Sequence, residues 1–282
     1  LVLSIKSKGL SSGKALAFDI PKRKAMPELP DLAVFSKNLT KMIQRKVLKS
    51  AVIHQKQKIK VSEKDLQALE GKRLDKVYRE GKRLFFDFGK DALLALHLML
   101  HGKLVYSDDP KPKYTLLSLT FQDGKTLSVT DFQQLANVEL NPPQADAVDA
   151  LSTKLSPQFL EDLLQSSRSK IKTLLMDQKH IAGIGNAYAD EILYEANISP
   201  LSVANKIPEK EIKKLAKAIK EVLEQAEKHI LKTHPDIISG EVRDFMKVHN
   251  SKAVTDAKGN KILQTKIGGR STYYTEQQHT FS

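Results

Sequence analysis

The chain has 282 residues, 40% of them hydrophobic, with no apolar run long enough to span a bilayer. That length suits two domains, each with its own core. Lys+Arg number 46 against 33 Asp+Glu, a net charge of +13, which favours a polyanionic partner, most often nucleic acid. Zero cysteines exclude disulfides, thiol nucleophiles and cysteine-zinc sites together, and without tryptophan any base stacking falls to Phe, Tyr, His or Arg.

Residues 1–25 are basic and Ser-rich, with Asp19 their only acid. They carry no apolar core of secretory length. A transit-type presequence fits loosely; a start placed too far upstream, or a removed leader, fits more simply. The segment is expected to be poorly ordered or absent from the working protein. Met26-Pro27-Glu28-Leu29-Pro30-Asp31 follows. If the chain began at Pro27, it would expose a secondary amine. Chain-terminal amines ordinarily titrate at about 7.7–8.0, so this one would be partly unprotonated at neutral pH and able to attack an electrophilic carbon. Inside a chain, a proline has no amine to offer. That conflict leaves open whether the active protein starts at Pro27.

Phe35, Leu39, Met42 and Ile43 recur at helical spacing, with Lys37, Lys41 and Arg45 facing elsewhere. Strand signals come next. Residues 84–88 and 93–99 flank Gly89-Lys90-Asp91, and residues 114–121 and 126–130 flank Asp123-Gly124, a strong hairpin signal. Residues 26 to about 140 thus predict an antiparallel sheet domain with its first helix on one side, and Asn141-Pro142-Pro143-Gln144 reads as the linker out of it. The second half turns helical. Ser156-Pro157 is an N-cap and first helical position, and Ile212, Leu215, Ile219, Val222, Leu223, Ala226 and Ile230 mark a long amphipathic helix between Pro208 and His234-Pro235. The tail from about 243 returns to short strands around Lys258-Gly259-Asn260 and Gly268-Gly269.

The stretch 177–193 reads as helix, glycine-rich turn, helix. Gly183 and Gly185 let the backbone approach a ligand closely. The next helix would offer free N–H groups and a positive dipole end to a phosphate, with Asn186 as a further donor. A lone Gly-Ile-Gly is more simply a tight packing turn. Together with Met-Pro-Glu-Leu-Pro-Asp at the front, however, it resembles the formamidopyrimidine-DNA glycosylase and endonuclease VIII family, from Met26 to about Tyr274. The resemblance implies an α+β fold of two domains. These would be a catalytic β-sandwich with a leading helix over 26–145, a helix–two-turns–helix DNA-binding domain over 146–242, and a β-hairpin finger over 243–282.

The resemblance also implies chemistry. Pro27 is the nucleophile, forming a Schiff base with the sugar of a damaged nucleotide, and Glu28 is the general acid/base. Lys82, in Arg79-Glu80-Gly81-Lys82-Arg83, matches a lysine that holds a phosphate beside the lesion. Lys172, Asn186 and Arg270 match DNA contacts. Leu100, in His97-Leu98-Met99-Leu100-His101-Gly102, matches a wedge that fills the gap left by a flipped base. On its own residues, Glu28 would read as a helix N-terminal acid, Lys82 as a solvated lysine and Leu100 as a core strand residue. The implied activity is a bifunctional DNA glycosylase with abasic-site lyase action on damaged double-stranded DNA. The protein is expected to be a monomer without cofactor, metal or membrane partner, located in a bacterial cytoplasm unless residues 1–25 are a genuine leader. The competing readings are a DNA-binding relative silenced by a blocked Pro27 and a basic RNA- or ribosome-binding protein.

Three departures from the family pattern carry expectations of their own. The second filler loop reads Asp131-Phe132-Gln133-Gln134-Leu135 and lacks the usual arginine, so reading of the opposite base should be weaker or different. Thr255, Lys258, Thr275 and Gln278 stand near where the family's finger carries zinc-binding cysteines, and His249 and His279 are too scattered to replace them; the finger is expected to be zincless. Residues 241–250 run almost directly into the finger, without the longer lid of enzymes that act on oxidised purines. An open pocket preferring oxidised pyrimidines, ring-opened purines or abasic sites is expected.

Overall fold

The computed structural model describes residues 26–55, 59–109 and 111–282. Residues 1–25, and the expectation placed on them, lie outside that range. Helix α1 (Leu29–Ile43) opens the described chain. Pro30 suits its first turn, and the Asp31 carboxylate accepts the Glu28 N–H at 2.9 Å, reaching back as a capping residue does. The helix ends where Arg45 turns left-handed at φ +65°.

Eight strands follow: β1 (Leu48–Ile53), β2 (Lys76–Glu80), β3 (Arg83–Asp87), β4 (Leu93–His97), β5 (Lys103–Ser107), β6 (Thr115–Phe121), β7 (Thr126–Thr130) and β8 (Asn137–Leu140), with a short helix α2 (Glu63–Gln67) between the first two. They form two antiparallel four-stranded sheets, ordered β1-β6-β7-β5 and β2-β3-β4-β8. Both hairpins read from the sequence are present, pairing Leu84 with Leu96 and Leu119 with Leu127. Strand β4 stops two residues earlier than its hydrophobic run, because Met99 turns left-handed at φ +55°. Inward-facing Leu84, Phe86, Leu94, Leu96, Leu117, Leu119, Leu127 and Val129 close one core with Phe35, Leu39 and Ile43 of α1.

Strand β9 (Val148–Asp149) begins the second domain. Helices α3 (Pro157–Gln165) and α4 (Ile171–Leu175), strand β10 (Ile181–Ala182), and helices α5 (Asn186–Glu195) and α6 (Glu209–Thr233) follow. Ser156 Oγ accepts the Phe159 N–H at 3.1 Å, the capping bond its position predicted. Helix α6 buries Ile212, Leu215, Ile219 and Leu223 against α5 and α3. The finger is the hairpin β11 (Ile262–Ile267) and β12 (Arg270–Thr275). No helix among the described residues is long and apolar enough to cross a membrane.

Helix α1 is buried on nearly all sides because it serves both cores. Phe35, Leu39 and Ile43 face the sandwich. Leu29 belongs to the helical core, and Val34 packs with Ile230 and Val242. Burying Leu29 alone contributes roughly 1.5–3 kcal/mol. The first turn of the chain is thus held by the second domain.

Candidate active site and nucleic-acid interface

Pro27 and Glu28 are buried at the junction of the two domains. The Glu28 carboxylate lies on the N-terminus of α5, where it accepts the Ala187 N–H at 3.0 Å and the Tyr188 N–H at 3.4 Å. An anion is well placed there, meeting two otherwise orphaned donors and the positive helix end. Gly185 permits this approach, since a Cβ at that position would collide with the Glu28 carboxyl group. Gly183 adopts φ +110°, its carbonyl accepts the Leu29 N–H at 3.3 Å, and a Cβ there would overlap the Leu29 side chain. The glycine turn is itself clasped by Gln178, which donates to Ile184 O at 2.7 Å and accepts from Gly183 N at 3.0 Å. The phosphate expected on these α5 amides is therefore corrected. The anion at Ala187 and Tyr188 is a side chain of this chain.

Asp31 completes the hold on the first turn. Besides accepting from Glu28 N, it takes both ends of the Arg243 guanidinium, at 2.8 and 2.6 Å. Burial opposes the Arg243 charge, but the Asp31 carboxylate more than offsets it and raises the guanidinium's pKa. The same guanidinium lies 5.1 Å over the Tyr188 ring. Glu241 approaches it at 3.5 Å, yet its buried Oε2 has no hydrogen-bond partner. Burial, with Asp31 and Glu28 acting in the same direction and Arg243 against, pushes the Glu241 carboxyl up to about 7.

Lys82 sits in the β2–β3 turn, partly buried. Burial lowers its pKa, Glu28 raises it, and Arg270 and Arg243 lower it, so Lys82, Glu28 and Arg270 share one electrostatic neighbourhood. The turn is pinned to the second domain. Asp149 accepts from Gly81 N at 2.7 Å and binds Arg79 through both oxygens, while Gly81, at φ +54°, leaves space for the Ala182 side chain. A groove of about 430 Å³ beside it is lined by Lys82, Arg83, His97, Asp146, Gln178 and Ala182, among others. Burial, together with Lys82 and Arg83, pushes His97 down to about 4, and its Nδ1 accepts the Met99 N–H at 3.0 Å. That bond shapes the turn on which half-buried Leu100 stands.

Arg270 is exposed beside the finger turn, where Gly268 and Gly269 both have positive φ (+55° and +75°). Asn186 does not face outward alone; its Nδ2 donates to Ser271 O at 3.0 Å. Lys172 requires a correction. Its ammonium is fully buried, 2.7 Å from Asp190, and donates to Thr272 Oγ1 at 2.8 Å and Ser271 O at 3.2 Å. A group so enclosed holds the finger against α5 and reaches no phosphate. Asp190 also accepts from Tyr273 N at 3.0 Å and pairs with His249 Nδ1 at 2.8 Å.

The four finger positions do not fit zinc. Gln278 accepts from Thr275 N and donates to Ile198 O, both at 2.8 Å, and the remaining side chains are two hydroxyls and an ammonium. The turn is held by Asp256, which accepts from Lys258 N, Asn260 N, Asn260 Nδ2 and the Tyr194 hydroxyl at 2.8–2.9 Å. Against some desolvation, the Asn260 and Tyr194 bonds pull the Asp256 carboxyl down to about 2. Between α6 and the finger the chain crosses back and forth. Ile237 O accepts from Asn38, Ser239 Oγ from Leu104 N, and Glu191 accepts the N–H groups of Lys247, Val248 and His249.

Sequence reasoning overlooked Asp31, Asp190 and Arg243. Asp31 stands three residues after Glu28, the spacing of a capping pair, and that signal was available. Nothing local marks Asp190 or Arg243, whose partners are distant in sequence.

The residues brought together are Pro27, Glu28, Lys82, Asn186 and Arg270, carried by a sandwich, a glycine turn before α5 and a hairpin. Family models for the formamidopyrimidine-DNA glycosylase N-terminal domain and its H2TH domain match residues 26–138 and 147–234. This chain belongs to the formamidopyrimidine-DNA glycosylase family. The family member from Pelotomaculum thermopropionicum is 31% identical, the alignment covering 88% of this chain and 97% of that one. The member from Desulforamulus reducens is 32% identical over the same shares. The Lactococcus lactis Fpg in complex with abasic-site DNA superposes with a TM-score of 0.78 at 25% identity, covering 88% of this chain and 98% of that one. MutM bound to DNA containing carbocyclic 8-oxo-G gives 0.78 at 27% identity over the same shares.

Proposed function

We propose that this family member is a bifunctional DNA glycosylase and abasic-site lyase with Pro27 as nucleophile. The observation that carries the reading is the Glu28 carboxylate seated on the α5 amides, next to Pro27. The Pro27 amine attacks C1′ and the damaged base departs, Glu28 handling the proton transfers at the sugar. The resulting iminium acidifies the C2′ proton, its loss expels the 3′ phosphate, and a second elimination expels the 5′ phosphate. Hydrolysis of the remaining iminium frees the amine, so one hard step becomes several easier ones.

This chemistry needs the Met26–Pro27 peptide bond cleaved, since an internal proline is a tertiary amide. Borohydride trapping on abasic duplex tests it. Protein beginning at Pro27 should give a covalent adduct, and the uncleaved chain none. Lack of an adduct with protein proven to begin at Pro27 leaves the second reading, a DNA-binding relative without lyase action. The partner in either case is damaged double-stranded DNA, as it is for the Lactococcus and MutM complexes.

The lesion class we propose is supported by the short run of residues 241–250 from the long helix into the finger, held by Arg243 on Asp31 and by Val248 N on Glu191. The pocket takes oxidised pyrimidines, ring-opened purines or abasic sites in preference to 8-oxoguanine. The related Lactococcus lactis Fpg has a solved complex with DNA containing an oxidised pyrimidine. Parallel excision of thymine glycol and 8-oxoguanine from duplexes decides the matter, and faster release of 8-oxoguanine would overturn it.

A further inference from the structure

Glu241 lies between α6 and the finger, with its side chain only 14% exposed. Its Oε2 is buried and has no hydrogen-bond partner. The cation beside it is the Arg243 guanidinium, whose Nη2 stands 3.5 Å away. That same Nη2 donates to Asp31 Oδ2 at 2.6 Å, while Nη1 donates to Asp31 Oδ1 and to Val242 O, both at 2.8 Å. Two carboxyl groups therefore share one guanidinium, and only Asp31 is bonded to it. Arg243 Nε and the hydroxyl of Tyr188, the ring over which the guanidinium lies, are also buried without a hydrogen-bond partner. Three orphaned polar atoms thus belong to one cluster.

The charges that act on Glu241 come from three segments. Asp31 and Glu28, in the first turn of α1, oppose its ionisation; Arg243 on its own segment and His249 before the finger favour it. Burial outweighs all of these and leaves the carboxyl titrating at about 7, so both of its forms are accessible near neutral pH. The neutral acid does not compete for Arg243. The anion is a second buried negative charge, which is costly until it gains a cation and hydrogen bonds. Closing the gap to a charge-assisted length of about 2.7–2.9 Å supplies both, with Nε as a further donor. The guanidinium then leaves Asp31.

We propose that Glu241 is a positioning residue for the Pro27 nucleophile: when it ionises it draws Arg243 off Asp31 and loosens the first turn of α1. The inference rests on the lyase reading above. One atom carries the link. Asp31 Oδ2, which accepts from Arg243 Nη2, also accepts the Glu28 N–H at 2.9 Å. Glu28 adjoins Pro27, so a shift of the Asp31 carboxylate disturbs the backbone that aims the amine. Small misplacements of a reacting group cost rate steeply. Glu241 itself touches no reacting atom; its effect passes through Arg243 and Asp31.

The test has two arms. In the full chain, hydrogen exchange at the Glu28 amide is compared at pH 6 and pH 8. Its protection, relative to the intrinsic exchange rate at each pH, should fall by roughly tenfold in wild type and stay level in Glu241→Gln; Glu241→Asp, which still titrates, should follow wild type. In protein beginning at Pro27, which keeps every residue of both cores, cyanoborohydride trapping on abasic duplex is timed at the same pH values. The ratio of the Glu241→Gln rate to the wild-type rate should rise by roughly tenfold from pH 6 to pH 8, and taking the ratio cancels the titration of the Pro27 amine. Circular dichroism confirms that each variant is folded. A rate ratio that stays level, or Glu28 protection in wild type that does not change with pH, overturns the positioning role. Wild-type protein that traps no adduct at either pH while its Glu28 protection changes overturns the lyase reading and upholds the link from Glu241 to the first turn.

Discussion

The molecule contains two glycine turns that look alike as sequence, Gly183-Ile184-Gly185 and Gly268-Gly269, and they solve opposite problems. The inner turn is short of space. A Cβ at either of its glycines would strike Leu29 or Glu28. The outer turn is in open space, with nothing within 4 Å of a Cβ at either position, and uses glycine for positive φ. The first brings the first turn of α1 onto a helix end; the second leaves Arg270 exposed to solvent. Glycine in a sequence reports a need for either room or torsion, and only the packing around it says which.

Breaking the tie between the two turns should have the largest effect on stability. Lys172→Met strands the Asp190 carboxylate beneath the finger and should cost about 3–5 kcal/mol in denaturant unfolding. Restoration by the added change Asp190→Asn would confirm that the cost lies in the unpaired charge.

Next comes Glu241 beside the inner turn. The native state keeps a proton up to about pH 7 that the unfolded chain releases near the ordinary glutamate value of 4.5, so this group makes stability fall as pH rises between those values. Glu241→Gln should remove that slope and leave the variant more stable than wild type at pH 8, by on the order of 3 kcal/mol, with little difference at pH 4. Equal stability of the two proteins at pH 8 would show that Glu241 is not held protonated.

Gly185→Ala should cost about 1–3 kcal/mol of stability through overpacking. Because it moves the Glu28 carboxylate, single-turnover strand cleavage should drop about 100-fold. The outer turn should be milder. Gly268→Ala should lose only about 1 kcal/mol, from left-handed strain. Arg270→Ala should leave the melting temperature alone while lowering the slope of log affinity against log salt by about one. If Gly268→Ala proved more damaging than Gly185→Ala, the contrast between room and torsion would be wrong.

Local chemistry made much of the architecture legible. Alternating apolar residues around Gly89 and Gly124 announced both hairpins, and Ser156-Pro157 and Pro208 announced helix starts. The strands without a sharp turn signal, β1, β2, β5 and β8, were not read, since short half-buried strands carry little pattern of their own. The site was legible as a set of residues through family resemblance, but their roles depend on burial. Lys172 looks like any of the chain's many lysines until α5 and the finger close over it. Asp31 and Arg243 are 212 positions apart, a distance that no periodicity spans.

The seating of Leu29 and Glu28 within the second domain has a consequence for when the protein becomes competent. During synthesis the residues around Pro27 emerge before either core is made, yet the amides that receive Glu28 come from α5, Arg243 comes later still, and Arg270 is among the last to appear. A nascent or truncated chain ending in the linker at 141–144 has Glu28 and Asp31 but neither the amides nor the guanidinium that hold them. On the lyase reading proposed above, cutting of a sugar–phosphate backbone waits until the second domain has folded onto the first turn of α1.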